Sequence, residues 1–222
     1  MRYEFDKAFD YENGFYLTTE PYRMGNILAH YELYKRILDI PGDVVECGVF
    51  KGSSLIQFAT FREILENENS RKIVGFDMFG EFPADKAVAS DSKFIEKWNE
   101  QFAGDFLSKD DLYASLQHKG LGNVELVQGN IMKTVDEYLE CNPHMRIALL
   151  HVDTDVYGPS KKALEAFFER VSWGGIVVFD DYGTVEGESV AADEFLSQTG
   201  YVLHKFRFSH TKPSYFVKTH EI

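Results

Sequence analysis

Short apolar runs alternate with helical patterns along most of this chain. Five runs are almost continuously apolar and short, which is typical of buried parallel strands. They are DVVEC (43–47), KIVGFD (72–77), NVELVQG (123–129), RIALLHVD (146–153) and GGIVVFDD (174–181). Apolar positions at helical spacing follow at about 53–65, 133–140, 159–171 and 188–198. Strands that alternate with helices predict an α/β fold, a doubly wound, mostly parallel sheet with helices on both faces.

The C-terminal end of the chain departs from this alternation. YVLHKFRF (201–208) and SYFVK (214–218) are β-rich and flank a polar turn that contains Pro213. Two such runs around a turn predict an antiparallel hairpin. The hairpin would extend the five parallel strands to a seven-stranded sheet.

Two other segments lie outside the strand-helix pattern. Residues 1–40 predict an N-terminal arm, aromatic and polar over 1–24, and then a helix from Met24 to Leu38. Residues 78–120 are long for a connection between a strand and a helix, so they predict an inserted cover over the sheet edge. We expect residues 1–222 to form a single domain, since α/β domains of this length are common.

Charge and cysteine content narrow the function classes. The formal net charge of −13 argues against a nucleic-acid partner, because phosphate-binding surfaces need clustered Lys and Arg. Cys47 and Cys141 make neither a disulfide framework nor a zinc spacing, and predict reduced thiols. The first residues contain no apolar signal core, and no run reaches membrane-spanning length. We therefore expect a cytoplasmic protein without a membrane partner.

Two aspartate pairs stand at the ends of apolar runs. Asp153 and Asp155 follow the fourth run, and Asp180 and Asp181 end the fifth. If these strands are neighbours in the sheet, their tips lie about 5 Å apart. Carboxylates that close repel one another, so the pattern favours a hard divalent cation bound by oxygens. Strand-end helix caps are the alternative, and they explain one aspartate per strand better than two.

A glycine turn follows the first strand and opens a helix. Gly48 and Gly52 let the backbone approach a ligand, and Glu46 is placed to meet a ligand ammonium or hydroxyl. The spacing is not GxGxxG, which weakens a pyrophosphate-binding interpretation. Asp77 ends the second strand, where an acid commonly accepts hydrogen bonds from ribose. These signals together predict an adenosine-containing ligand. The alternatives are a tight turn with a serine cap and a loop aspartate.

Three segments resemble the macrocin O-methyltransferase family. They are 43–54 (DVVECGVFKGSS), 74–83 (VGFDMFGEFP) and 147–182 (IALLHVDTDVYGPSKKALEAFFERVSWGGIVVFDDY). The resemblance implies a class I, Rossmann-like methyltransferase fold that uses S-adenosylmethionine and Mg²⁺ to methylate a sugar hydroxyl in a glycoside or a nucleotide-linked deoxysugar. Ser53 and Thr154 replace glycines of the family pattern. These differences surround the cofactor and substrate pockets, so they concern the acceptor more than the chemistry.

The resemblance also assigns roles to individual residues. It places the metal ligands at Asp153, Asp180 and Asp181, and the general base at Asp155. It places the cofactor-binding residues at Glu46, Gly48, Ser53, Ser54, Asp77, Gln128 and Gly129. It further implies that the N-terminal segment and the insertion cover the active site and help to form a homo-oligomer, most plausibly a dimer.

Four residues near these positions keep two interpretations each. His151 lies two positions before Asp153 and is either a base or a buried histidine with a hydrogen-bond partner. Tyr157 and Tyr182 either shape the pocket or pack. Cys47 is interpreted as a packing residue, because no paired base is evident in the sequence.

Three other functions remain open at this stage. An O-methyltransferase with a catechol-like acceptor fits the same metal site, because vicinal oxygens suit both acceptors. A nicotinamide-dependent oxidoreductase shares the predicted sheet, but the missing GxGxxG counts against it. A catalytically silent binding protein is disfavoured by the intact acidic residues.

Overall fold

The computed structural model describes residues 3–83, 89–209 and 212–219. Its sheet has seven strands in the order β3-β2-β1-β4-β5-β7-β6. The strands are β1 (Asp43–Cys47), β2 (Ile73–Asp77), β3 (Val124–Gln128), β4 (Ile147–Val152), β5 (Val171–Phe179), β6 (His204–Lys205) and β7 (Ser214–Val217). Strands β1 to β5 are parallel, and β7 pairs antiparallel with both β5 and β6. The predicted fold is confirmed.

Helices connect the strands and precede them. They are α1 (Ala8–Thr18), α2 (Pro21–Lys35), α3 (Ser53–Leu65), α4 (Ala89–Gln101), α5 (Lys109–His118), α6 (Ile131–Cys141), α7 (Tyr157–Phe167) and α8 (Glu186–Thr199). Short 3₁₀ turns lie at Phe5–Lys7 and Phe168–Arg170. Among the described helices, none combines the length and the apolar character needed to cross a bilayer.

The sheet separates two hydrophobic layers. Adjacent residues of a strand point to opposite faces, so Val44 and Val45 of β1 belong to different layers. Leu33 of α2 and Phe58 of α3 pack in the first layer. The second layer contains Leu164 of α7 together with residues of α6 and α8. Both faces of the sheet are therefore covered, which explains why the central strands are apolar throughout.

The structure differs from the sequence prediction at both ends of the chain. Residues expected to form an irregular arm contain α1, whose described residues are all at least partly exposed. A helix that buries no face needs no apolar residues at helical spacing, so the sequence of α1 did not predict a helix. Helix α2 begins at Pro21 rather than Met24, with proline in the first turn. In the hairpin, only His204–Lys205 of the first β-rich run forms a strand.

Register places the two aspartate pairs beside one another. Strands β4 and β5 are neighbours, and Val152 pairs with Phe179 at their carboxyl ends. The chain continues the ladder for one more bond, because Asp180 N–H donates to Val152 O at 3.0 Å. Asp153 N–H donates to Cys47 O at 2.8 Å on the other side. The ends of β1, β4 and β5 therefore meet at one place on the sheet edge.

Candidate active site

Three carboxylates converge at this edge. Asp153, Asp180 and Asp181 each offer an oxygen, and these oxygens lie within 4.8 Å of one another. Burial and the neighbouring Asp180 and Asp155 charges raise the pKa of Asp153 well above its usual value. Oxygen donors of this kind suit Mg²⁺. The three side chains therefore fit a hard divalent cation, and the pKa of Asp153 indicates that the cluster needs positive charge.

Lys212 brings one positive charge to the cluster from the loop before β7. Its ammonium contacts Asp181 Oδ1. It also favours the ionised form of Asp155, which lies beside it. The side chain of Lys212 is partly exposed, so this contact is reached from solvent. No signal in the sequence linked a hairpin lysine to the aspartate pairs, because the two are far apart in the chain.

Asp155 lies just past the end of β4 in a left-handed backbone conformation, with φ of +61°. Few residues other than glycine adopt this region, and such residues concentrate at functional sites. The pKa of Asp155 is raised to about 7. Burial is the main cause, the positive charge of Lys212 opposes the rise, and the negative charge of Asp180 adds to it. Asp155 is therefore a half-buried carboxyl group at the edge of the three-carboxylate cluster.

Glu188 is a buried acid that the sequence analysis missed. Its Oε1 accepts a hydrogen bond from Asp181 N–H at 2.8 Å. Burial raises the pKa of Glu188 well above its usual value, and the Asp180 and Asp155 charges add to the shift. Glu188 is the third residue of α8, a position from which glutamate often bonds backbone N–H groups before a helix. Because Val185 rather than Ser or Thr precedes α8, the sequence showed only the glutamate of this capping pattern.

Two buried histidines connect the cluster to α2 and β1. His151 Nδ1 lies 3.3 Å from Glu46 Oε1, and its Nε2 lies 3.5 Å from Asp180 Oδ1. His30, which the sequence analysis did not single out, places its Nε2 3.4 Å from the same Asp180 oxygen. Burial lowers the pKa of His151, but Asp180 and Glu46 outweigh it and raise that pKa to about 10. His151 is thus the buried, partnered histidine of the second interpretation.

The two histidines also explain the charge of Asp180. Burial by itself would raise the pKa of this carboxyl, but the neighbouring His151 and His30 lower that pKa well below its usual value. Asp153 and Asp180 are therefore shifted in opposite directions although they lie side by side. Of these two carboxylates, Asp180 carries negative charge more readily.

The glycine turn brings the backbone of β1 against that of β4. Gly48 has φ of +93°, and a Cβ there would lie 1.7 Å from Asp153 O. Gly52 precedes α3 with φ of +78°. The Ser54 hydroxyl, at the start of α3, donates to Glu46 Oε1, whereas Ser53 is exposed. The turn is therefore packed tightly around Glu46.

Asp77 holds the glycine turn from the end of β2. Its Oδ2 accepts hydrogen bonds from the N–H groups of Val49 and Phe50 at 2.8 and 2.9 Å. Its Oδ1 accepts one from Phe79 N–H at 2.5 Å. Burial raises the pKa of Asp77, and these three N–H groups oppose that rise. These are the contacts of a loop aspartate, and the ribose contact remains a prediction.

A cleft with about 680 Å³ of empty space lies between the turn and the insertion. The cleft is lined by five of the predicted site residues, namely Gly48, Asp77, Gly129, Asp153 and Asp155. Aromatic rings form its other wall, among them Phe50 and Trp98, whose centroids are 5.1 Å apart. An apolar, partly enclosed pocket therefore opens onto the carboxylates.

The other predicted site residues lie around this cleft rather than on its wall. Glu46 and Ser54 are buried behind the turn, and Gln128 Nε2 donates to Met78 O at 3.3 Å. The hydroxyls of Tyr157 and Tyr182 donate to Glu194 and Asp193 of α8, each at 2.7 Å. These bonds direct both tyrosine hydroxyls toward α8, which favours the packing interpretation.

Cys47 is fully buried on β1. Burial and the neighbouring Glu46 raise the pKa of this thiol well above its usual value. A thiol that stays protonated is a poor nucleophile. The interpretation of Cys47 as a packing residue agrees with this environment.

The sequence of the core decides the family. Residues 19–203 match the family described as Macrocin-O-methyltransferase (TylF), which is more than half of the 222 residues. The chain belongs to the macrocin O-methyltransferase family. The matched range contains the glycine turn, both aspartate pairs and the insertion, so the predicted membership is confirmed on the segments that suggested it.

Two curated proteins of similar sequence are named as O-methyltransferases. The chain is 30% identical over 149 residues to the 8-demethyl-8-(2,3-dimethoxy-alpha-L-rhamnosyl)-tetracenomycin-C 4'-O-methyltransferase of Streptomyces olivaceus, covering 64% of this chain and 54% of that protein. It is 30% identical over 151 residues to the mycinamicin III 3''-O-methyltransferase of Micromonospora griseorubida, covering 64% and 56%. The chain thus spans about half the length of the curated relatives it matches.

Solved structures of O-methyltransferases share the fold. CalS11, described as a TDP-rhamnose 3'-O-methyltransferase of calicheamicin biosynthesis, superposes with a TM-score of 0.68 at 27% identity, over 98% of this chain and 87% of that one. The O-methyltransferase NovP superposes with a TM-score of 0.73 at 20% identity, over 87% and 79%. At that identity NovP supports the fold alone.

Proposed function

We propose that this chain is an O-methyltransferase that depends on S-adenosylmethionine and Mg²⁺ and acts on a sugar hydroxyl of a glycoside or a nucleotide-linked deoxysugar. The observation that carries the proposal is the convergence of Asp180 and Asp181 with Asp153, which lines the cleft, in a chain of this family. The relatives named for rhamnosyl and TDP-rhamnose methylation support a sugar acceptor.

Asp153, Asp180 and Asp181 are proposed to hold the cation. A divalent cation held there supplies positive charge that favours an ionised hydroxyl. Asp155, which lines the same cleft, accepts the proton of the acceptor hydroxyl. Since methyl transfer from a sulfonium needs little covalent help, the main task of these side chains is to orient the acceptor.

The cofactor is proposed to lie along the glycine turn. Gly48, Asp77 and Gly129 line the cleft. Gln128, the last residue of β3, is proposed to border the adenine. Glu46, Ser53 and Ser54 surround the turn that faces the methionine part. S-adenosylmethionine supplies the electrophilic methyl group. The polar residues of this wall fix its orientation, while the aromatic wall excludes water.

Residues 78–120 are proposed to act as a cover over this site within a single domain of residues 1–222. Trp98 of α4 contacts Phe50 of the glycine turn and Phe102, with ring centroids 5.1 and 4.6 Å away. Lys51 of the turn also pairs with Asp105 at 2.6 Å. These contacts join the insertion to the cofactor wall, as a cover requires.

The function is tested by binding and turnover of the purified protein. We expect S-adenosylhomocysteine to raise the melting temperature while NAD leaves it unchanged. Methylation of TDP-deoxysugars or rhamnosyl glycosides should require added Mg²⁺ and should stop when a chelator removes it. A melting shift with NAD alone, or full activity in excess chelator, would contradict the proposal. Transfer to catechol but to no sugar would assign the alternative acceptor.

A cytoplasmic homodimer is the proposed assembly. Exposed apolar side chains gather on α1 and the start of α2, with Phe9, Leu17 and Tyr22 exposed by 73%, 84% and 61%. A helix with such residues and no buried face is typical of an interaction surface. A second copy of the chain is the proposed occupant.

We expect the wild-type protein to have twice the chain mass by light scattering. The double variant Phe9→Asp, Leu17→Asp should be monomeric, because it places charges where apolar area would be buried. Val202→Asp changes an equally exposed residue outside α1 and should remain dimeric. A wild-type monomer at micromolar concentration would rule out this surface as a stable interface.

A further inference from the structure

We propose that His30, His151 and Asp180 form a second metal site, for a borderline divalent ion such as Zn²⁺, directly behind the carboxylate cluster. The two Nε2 atoms and a carboxylate oxygen of Asp180 lie within 4.8 Å of one another. Both rings are buried, with 1% and 0% of their surface exposed. Neither Nε2 has a hydrogen-bond partner among the residues that the structure describes. Each of the two buried Nε2 atoms therefore faces the Asp180 carboxylate without forming a hydrogen bond to it.

The other ring nitrogens fix which atom carries the proton. His30 Nδ1 lies 2.8 Å from the amide oxygen Gln57 Oε1, and His151 Nδ1 lies 3.3 Å from Glu46 Oε1. Both oxygens are acceptors here, so each Nδ1 carries a hydrogen. A metal ion would therefore take the place of the proton on Nε2, whose lone pair is directed toward Asp180. Histidines that bind metals commonly donate their second N–H to such an oxygen.

The distances also match a coordination sphere. The Nε2 atoms of His30 and His151 lie 3.4 and 3.5 Å from Asp180 Oδ1, which is long for a hydrogen bond. Ligands about 2.0–2.1 Å from a tetrahedral zinc ion are separated by roughly 3.3–3.4 Å. A cation between the three atoms would give each of them a partner. Asn26 Nδ2 also donates to Asp180 Oδ1, at 3.3 Å.

The donor set selects the kind of ion. Two imidazoles and one carboxylate suit Zn²⁺, Co²⁺ or Fe²⁺, whereas Mg²⁺ prefers oxygen ligands. Asp180 belongs to both sets, so its carboxylate would lie between the two ions. The site connects α2 to β4 and β5, and an ion there would hold the Asp180 carboxylate in place. The inference concerns metal binding and does not depend on methyl transfer.

Cobalt tests the site, because Co²⁺ with nitrogen ligands absorbs visible light. Chelator-treated protein is titrated with Co²⁺ in saturating Mg²⁺, which occupies the oxygen site. We expect a visible band that saturates at one Co²⁺ per chain. His30→Gln and His151→Gln should each weaken Co²⁺ binding by at least about 10–100-fold. His144→Gln, which changes an exposed histidine, should retain the band. No band in the wild type, or equal affinity in all variants, overturns the proposal.

A measurement on the wild-type protein tests the site even if the histidine variants fail to fold. Long-range ¹H–¹⁵N spectra report the state of each histidine ring nitrogen. Zn²⁺ should shift the Nε2 resonances of two histidines while their Nδ1 atoms stay protonated. If both Nε2 atoms remain protonated in excess Zn²⁺, protons rather than a metal fill the space next to Asp180, and the site is refuted. Neither readout uses the methylation assay, so the two proposals can fail separately.

Discussion

Asp155→Asn is expected to lower kcat by about 10²–10⁴-fold, the usual contribution of a general base. Asparagine keeps the shape of the side chain but cannot take a proton from the acceptor hydroxyl. Because Asp155 lines the cleft without belonging to the glycine turn, the affinity for S-adenosylhomocysteine should stay nearly unchanged. The pattern expected of a base is thus lost turnover with retained cofactor binding.

Initial rates and calorimetry measure the two quantities. Asp110→Asn, at an exposed position of α5, is the matched control and should retain wild-type kinetics. Turnover within a few-fold of wild type would remove Asp155 from the role of base. Loss of cofactor affinity together with turnover would instead indicate that the charge of Asp155 shapes the loop, since asparagine tolerates the left-handed backbone at φ of +61°.

Gly48→Ala is expected to be the most damaging single substitution for stability, with a loss above about 4 kcal/mol or no soluble protein. A Cβ at this position would overlap Asp153 O at 1.7 Å and Asp153 C at 2.6 Å. The two backbones cannot separate freely, because Asp153 N–H donates to Cys47 O at 2.8 Å. The φ of +93° adds strain for any residue with a side chain.

Gly120→Ala separates backbone strain from overlap. Gly120 also has a positive φ, +66°, but a Cβ there would meet no atom within 4 Å. Its replacement should cost only about 1–2 kcal/mol, the penalty of the left-handed conformation. Urea denaturation of both variants gives the comparison. Equal stabilities would show that β1 and β4 do not approach one another at Gly48 as closely as described.

Much of the fold followed from local patterns. The five parallel strands were identified because buried central strands are apolar throughout, and the hairpin because a polar turn separates two β-rich runs. Helix α1 was missed because a helix with no buried face has no apolar period. The position of the aspartate pairs followed from a general property of parallel sheets: the carboxyl ends of neighbouring strands meet at one edge.

The candidate site was only partly predictable. Asp153, Asp155, Asp180 and Asp181 stand at strand ends, and the order of strands brings them together. His30 gave no comparable signal, since it lies on a helix far along the chain from its partners. Glu188 lies seven residues from Asp181, but it stands in the first turn of α8 rather than at a strand end. Asp77 was identified as a polar residue at a strand end. Its hydrogen bonds from the N–H groups of Val49 and Phe50 depend on the path of the glycine turn, which the sequence did not predict.

By itself, the sequence determined the sheet, its carboxyl edge, the acidic pairs and the family. These properties depend on periodicity and on residue types at strand ends, which are local. Only the tertiary structure decided that His30, His151 and Asp180 converge, that Lys212 contacts Asp181, and that Gly48 touches the backbone of Asp153. Such contacts join residues distant in sequence, and they depend on the packing of whole helices and loops, which no local pattern records.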